Sequence, residues 1–201
     1  MDIFRYTQDE LCQLKAKDKR LSARIEQIGV IERPIKRDVF AALVHSIVAQ
    51  QISGKAADTV WSRLQSLFGE ITPEHIRAID IELIQKCGMS MRKAQYIKSA
   101  ADAVCSGALE LSALRDMPDD EVIKQLSALP GIGVWTAEML LIFSLERKDV
   151  LSFGDLAIRR GLCKLYGHKE LTKEQFLRYK KRYSPFGSIA GLYLWEIAVR
   201  E

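Results

Sequence analysis

The sequence predicts an all-α fold, and three observations carry that expectation. Apolar residues recur three and four positions apart through most of the chain, no stretch alternates as a strand would, and glycines, prolines and capping residues break the pattern at helical intervals. Phe40, Leu43, Val44, Ile47 and Val48 form the first clear stripe. Val60, Trp61, Leu64 and Leu67 form the next, followed by Ile97, Ala100, Ala101 and Val104. Breaks fall at Arg33-Pro34, Gly69, Thr72-Pro73, Gly88, Gly107, Pro118, Pro130 to Gly133, Gly154, Gly167 and Ser184-Pro185, which predicts helices of about 10 to 18 residues. Two starts are legible in detail: Thr72-Pro73-Glu74 reads as an N-cap with proline at the first helical position, and Thr172 with Gln175 as a capping box.

Composition bounds the function classes. The chain has 201 residues, 48% of them hydrophobic, which is enough to bury a core. Its apolar runs fall well short of the roughly 20 residues that a bilayer span requires. The opening "MDIFRYTQDELCQ" is acidic and polar where a signal peptide would be apolar, so the expectation is a cytoplasmic protein, nucleoid-associated if bacterial, with no membrane partner. Cys12, Cys87, Cys105 and Cys163 are scattered without a CxxC pair, which argues against a zinc ribbon, an iron–sulfur cluster or a disulfide framework. A net charge of +4 leans toward polyanions but decides nothing by itself.

The segment "DDEVIKQLSALPGIGVWTAEMLLIFSL" reads as helix, short turn, helix, with Val122, Leu126 and Leu129 on one apolar face and Ala137, Leu140, Leu141 and Ser144 on the next. Gly131 and Gly133 permit positive φ and close backbone approach, and Ile132 between them can plug the core. One reading is a tight turn closed by a glycine C-cap. The other is an anion site, in which amides at the start of the second helix, aided by its dipole, receive a nucleic-acid phosphate without reading sequence. Asp155, between Gly154 and "LAIRRGLCKL", has the residue type of a helix N-cap. Trp61 reads as core, whereas Trp195 in "GLYLWEIA" fits either core or a site.

Four ordered segments carry a resemblance. "LPGIGVWTAEML" matches the hairpin pattern L-P-G-[IV]-G-x-x-T-A, "VFAALVHSIVAQQISGKAA" resembles a helix and loop with a glutamine pair, "GMSMRKAQYIKSAADAV" matches G-x-S-x-x-K-A-x-Y-I, and "RYSPFGSIAGLYLWEIA" resembles a terminal P-[WF]-R-S-x-A-x-x-[YH]-x-W element. Together, from about Pro34 to Ala198, they resemble the helix-hairpin-helix DNA glycosylase superfamily in its 3-methyladenine DNA glycosylase II branch, in a short form without an extra N-terminal domain. The resemblance implies two helical lobes around a cleft: one domain over 1–201, with a central bundle at 34–150 and terminal helices at 1–33 plus 151–201. It implies Asp155, 20 residues beyond Trp135 (155 − 135), as the catalytic carboxylate. It sets Trp135 and Trp195 beside the base pocket with Tyr193 nearby, and assigns Gly131, Gly133 and Thr136 to the DNA backbone. Gln50 and Gln51 become the duplex wedge, although relatives often carry leucine at the position of Gln51. Backbone carbonyls of Ser127, Leu129 and Ile132 would hold a monovalent cation. Lys55, Arg92, Lys93, Arg159 and Arg160 are further candidates for phosphate contact, against the default of a solvated face.

Members of that superfamily that also cut the DNA backbone carry a lysine where Trp135 stands, whose amine attacks the sugar. Tryptophan there implies a monofunctional enzyme that leaves an abasic site. The iron–sulfur branch has four clustered C-terminal cysteines with no counterpart in this sequence, so no cluster and no required cofactor are expected. The resemblance thus implies a monomeric hydrolase that releases alkylated purines such as 3-methyladenine and 7-methylguanine from damaged double-stranded DNA. The alternatives are a glycosylase of the same fold for oxidised or mismatched bases, and a non-catalytic helix-hairpin-helix DNA-binding module.

Overall fold

The computed structural model describes residues 2–200; Met1 and Glu201, the outermost positions of the expected domain, lie outside the described residues. In chain order the α-helices are α1 (Gln8–Lys17), α2 (Lys19–Ile28), α3 (Val39–Ala49), α4 (Gly54–Phe68), α5 (Pro73–Ala78), α6 (Ile81–Lys86), α7 (Met91–Cys105), α8 (Asp119–Ser127), α9 (Val134–Phe143), α10 (Leu156–Tyr166), α11 (Lys173–Tyr183) and α12 (Gly187–Val199), with one 3-10 turn at Ala113–Arg115. No strand forms among the described residues; Ile3 and Pro34 make one isolated antiparallel bridge. The all-α expectation holds. Thr72 caps α5 with Pro73 in its first turn, and Thr172 with Gln175 forms the capping box of α11. Helices α5 and α6 have six residues each, shorter than the expected range, because the backbone turns extended at Ile79 and Asp80 and restarts.

The chain divides into two compact units, residues 36–140 and residues 1–35 with 141–201. The expected lobe boundary at 150 therefore differs from the observed one, which falls inside α9. The reason is polar stitching of 147–150 to the start of α12. Ser188 donates its hydroxyl to the Arg147 carbonyl (2.6 Å) and accepts the Val150 N–H (3.0 Å), while Asp149 accepts from the Gly187 N–H and the Ser184 hydroxyl (3.0 and 2.5 Å). Asp149 thereby serves the start of α12, where Phe186 offers no capping side chain.

In the 36–140 unit, α3 buries Phe40, Leu43, Val44, Ile47 and Val48, and α7 buries Ala94, Ile97, Ala100 and Ala101. Helix α7 packs against α3, α5 and α6. In the other unit α10 and α12 pack most closely. A Cβ on Gly161 would lie 2.3 Å from the Leu194 carbonyl oxygen, so only glycine permits this approach of two backbones.

Candidate functional site

The 36–140 unit assembles most of the expected residues. At the turn between α8 and α9, Gly131 adopts φ +82°, and a Cβ there would fall 2.2 Å from the Tyr96 ring, so conformation and space both require glycine. Gly133 differs from the expectation: its φ is not positive, and a Cβ would meet nothing within 4 Å. Ile132 is buried, as expected of a core plug. The Leu129 carbonyl accepts the Ile132 N–H at 3.1 Å, and a carbonyl oxygen keeps a second lone pair for another partner. Among the described residues no three His, Cys, Asp or Glu side chains converge as a metal cluster.

Helix α9 begins with two exposed apolar residues, Val134 and Trp135, the latter 48% exposed. Trp135 lines a cavity of about 440 Å³ with His45, Ser46, Gln50, Gln51, Thr136 and Met139, a volume in the range of small-molecule sites. Thr136, expected on the DNA backbone, is buried and lines this cavity. A second cavity, of about 460 Å³, joins Gln50, Gln51 and Trp135 to Ser90, Arg92, Tyr96 and the two turn glycines. The hairpin, the glutamine pair and Trp135 thus share one surface.

The glutamine pair does two different things. Gln50, at the end of α3, donates its amide to the Gly131 carbonyl at 2.7 Å, which makes it a strut to the hairpin. Gln51 is exposed and holds φ +57°, rare for a residue with a Cβ. Ile52 beside it is 41% exposed and adds an apolar tip that the sequence reading passed over.

His45 was also missed, though a signal existed: His45 and Ser46 are the only polar residues in "VFAALVHSIVA". Its ring meets the Trp61 ring edge-on at 5.0 Å, and the Lys36 ammonium lies 5.0 Å over that tryptophan. Burial first, then repulsion from Lys36, holds the imidazole below its ordinary value despite Asp58, so a neutral ring faces the cavity at pH 7. Among the basic candidates, Arg92 is exposed and its Nε donates to the Tyr96 hydroxyl at 2.5 Å, and Lys55 and Arg160 are exposed. Lys93, half-buried, also lines the second cavity, and its ammonium is engaged there by the Val48 and Gln50 carbonyls, to which it donates at 2.8 and 2.6 Å.

The second unit holds Asp155, Tyr193 and Trp195. Asp155 is 6% exposed and is the N-cap of α10, with Oδ1 accepting the Ile158 N–H at 2.9 Å. Capping and a catalytic role are compatible, because capping uses one carboxylate oxygen and fixes the direction of the other. Arg159, one turn on, lies with its guanidinium 5.5 Å over the Phe153 ring. Trp195 stacks on Phe143 at 5.6 Å and 29°. Tyr193 does not present a face for a base: it is fully buried, and its hydroxyl donates to the Gly29 carbonyl at 3.0 Å. The resemblance sets Trp195 beside the base pocket with Tyr193 nearby, but residues i and i+2 of a helix point about 200° apart.

A family model described as "HhH-GPD superfamily base excision DNA repair protein" matches residues 44–185, from α3 through the hairpin and Asp155 to Pro185. The chain belongs to the HhH-GPD superfamily. It is 37% identical over 166 residues to DNA-3-methyladenine glycosylase 1 of Schizosaccharomyces pombe, covering 80% of this chain and 73% of that enzyme. It spans less of two further relatives, 64% of one from Bacillus subtilis and 57% of one from Saccharomyces cerevisiae. Among solved HhH-GPD structures, a DNA-3-methyladenine glycosidase from Bacillus halodurans superposes with a TM-score of 0.89 at 39% identity, over 99% of this chain and 93% of that one. The S. pombe 3-methyladenine DNA glycosylase in complex with abasic DNA gives 0.80 at 34% identity, over 94% and 96%. The HhH-GPD match contains Gln50, Gln51, Trp135 and Asp155, whereas Tyr193 and Trp195 lie beyond it.

Proposed function

We propose that the protein is a DNA glycosylase of base-excision repair that hydrolyses the N-glycosidic bond of alkylated purines and leaves an abasic site. The observation that carries the reading is Trp135, half exposed on a cavity wall at the position where a lyase would need its lysine. A base in a duplex must leave the stack to be reached, and 3-methyladenine and 7-methylguanine carry positive charge that an indole face attracts. The neutral His45 on the same wall adds no opposing charge. The relatives named DNA-3-methyladenine glycosylase, over lengths that include Trp135 and Asp155, support the substrate class.

In the reaction the C1′–N bond breaks, the base departs with the bonding electrons and becomes neutral, and the sugar passes through an oxocarbenium-like state before water adds at C1′. We assign Asp155 to stabilise that cation and to accept the proton of the attacking water, with its carboxylate oriented by the Ile158 N–H. Gly131 and Gly133 bring backbone amides at the start of α9 to a phosphate, and a monovalent cation on the Ser127, Leu129 and Ile132 carbonyls would add positive potential there. Hydrolysis itself calls for no redox cofactor. We place a monomeric enzyme on damaged double-stranded DNA in the cytoplasm.

The test is base release from methylated DNA by wild type and Asp155→Asn. Asparagine caps helices about as well as aspartate, so the fold and DNA binding should survive while release falls by about 100-fold or more. An Asn variant within a few-fold of wild type would remove Asp155 from the mechanism. In the same assay borohydride should trap no covalent protein–DNA adduct; an adduct would overturn the monofunctional reading.

A further inference from the structure

The segment "GMSMRKAQYI" carries a lysine that runs against the electrostatics of its own helix. Lys93 lies in the first turn of α7, where Ser90 caps its N–H at 3.3 Å and the helix dipole disfavours a cation. Its ammonium reaches instead to the C-terminal end of α3, the favourable end of another helix, and bridges the Val48 and Gln50 carbonyls. Three residues on, Tyr96 lays its ring against Gly131, and Gln50 bonds the Gly131 carbonyl. Lys93 and Tyr96 on α7 therefore join the end of α3 to the hairpin. The residues beyond this joint are Gln51, in a left-handed conformation, and the exposed Ile52.

We propose that Lys93 is a positioning residue for base extrusion: it clamps the end of α3 so that the Gln51–Ile52 tip enters the duplex in fixed register with the phosphate held at the hairpin. A wedge works only if it does not recoil when it displaces a base pair. A tip on a free helix end would yield, whereas one tied through Gln50 to Gly131 transfers the load to the phosphate anchor. The inference rests on the proposed function. The same chemistry occurs on α7 without a site attached: Lys98 donates to the Ile76, Arg77 and Ile79 carbonyls at the end of α5, at 3.3, 2.7 and 2.8 Å. Lys98 thus provides a matched control for a purely structural helix cap.

The experiment measures single-turnover release of 7-methylguanine placed opposite cytosine and opposite an abasic gap, where little pairing has to be broken. Lys93→Met should slow release from the paired duplex by about tenfold or more and from the gapped duplex by about threefold or less, since extrusion costs least where pairing is already lost. Lys93→Arg should recover most of the loss, and Lys98→Met should lower the melting temperature as much as Lys93→Met does without the paired-duplex defect. Equal losses on both duplexes, the same pattern from Lys98→Met, or a Lys93→Met rate on the paired duplex within about twofold of wild type would overturn the clamp. Should Lys93→Met not fold, Gln50→Leu, which cuts the strut at its other end, must give the same paired-duplex defect. If wild type releases no alkylated base, the proposed function fails instead. The clamp is then read by the fluorescence of 2-aminopurine next to the lesion, which wild type should raise more than Lys93→Met; equal signals would overturn it.

Discussion

Trp135 shows how one side chain can carry a functional reading. Eight of the ten residues of α9 are apolar, and an indole about half exposed at its start is not what burial alone selects. Removing it tests the reason. Trp135→Ala should cost release of cationic 7-methylguanine more than release of neutral hypoxanthine. A cation–π contact of about 0.5–2 kcal/mol corresponds to an extra loss of about 2- to 30-fold on the charged base. Equal losses, measured as single-turnover rates on the two substrates, would remove the charge-based account. Tyr193 and Trp195 show the opposite: the terminal motif points to aromatic residues but does not say which face each occupies, and helical rotation turns Tyr193 into the interior.

Between elements, backbone meets backbone at the crossing of α10, which Asp155 caps, and α12, which carries Trp195. Gly161→Ala would put a methyl group against the Leu194 carbonyl, where only a backbone shift relieves the clash. Such overpacking costs about 1–3 kcal/mol, and thermal unfolding should move down by about 3–10 °C. Gly191→Ala on α12 is the contrast: its nearest atoms, on Ile158 and Leu151, would lie 3.6 Å away, an ordinary contact, so the gain in helix propensity should leave it neutral or slightly stabilised. Equal destabilisation of the two variants would contradict the close approach at Gly161. Helix starts such as Thr72-Pro73 and Thr172–Gln175 were legible because caps are local chemistry. Close approach at Gly161 was not, because its partner lies 33 residues away in the chain (194 − 161).

At the scale of a whole unit, Asp18 binds several elements at once. Oδ1 caps α2 through the Arg20 and Leu21 N–H groups, both at 3.0 Å, and Oδ2 accepts from Tyr166 of α10 at 2.5 Å and Arg182 of α11 at 2.7 Å. Burial pushes the carboxyl up, but the bonds from Tyr166, the Leu21 N–H and Arg182 outweigh it and hold the group below its ordinary value of 3.8. A depressed folded-state value means that the stabilisation is fully present above the unfolded value and is lost as pH falls through the folded one. Asp18→Asn should therefore be less stable than wild type at neutral pH, by about 2–3 kcal/mol. The gap should narrow as the wild-type carboxyl protonates below 3.8. Melting curves from about pH 7 down to about pH 2 measure this, and a gap independent of pH would refute it.

Local order was decided by the sequence: the helical spacing, the caps, the hairpin with its positive-φ Gly131, and the tryptophan at 135. These follow from interactions within a few residues, which any reading of the chain can follow. Tertiary structure alone decided that Gln50 is a strut while Gln51 is exposed, that Lys93 serves the end of another helix, that His45 faces the cavity, and that Tyr193 faces the core. Each of those assignments depends on where a side chain points and on what a distant segment brings to it, and neither is encoded at the spacing of a motif.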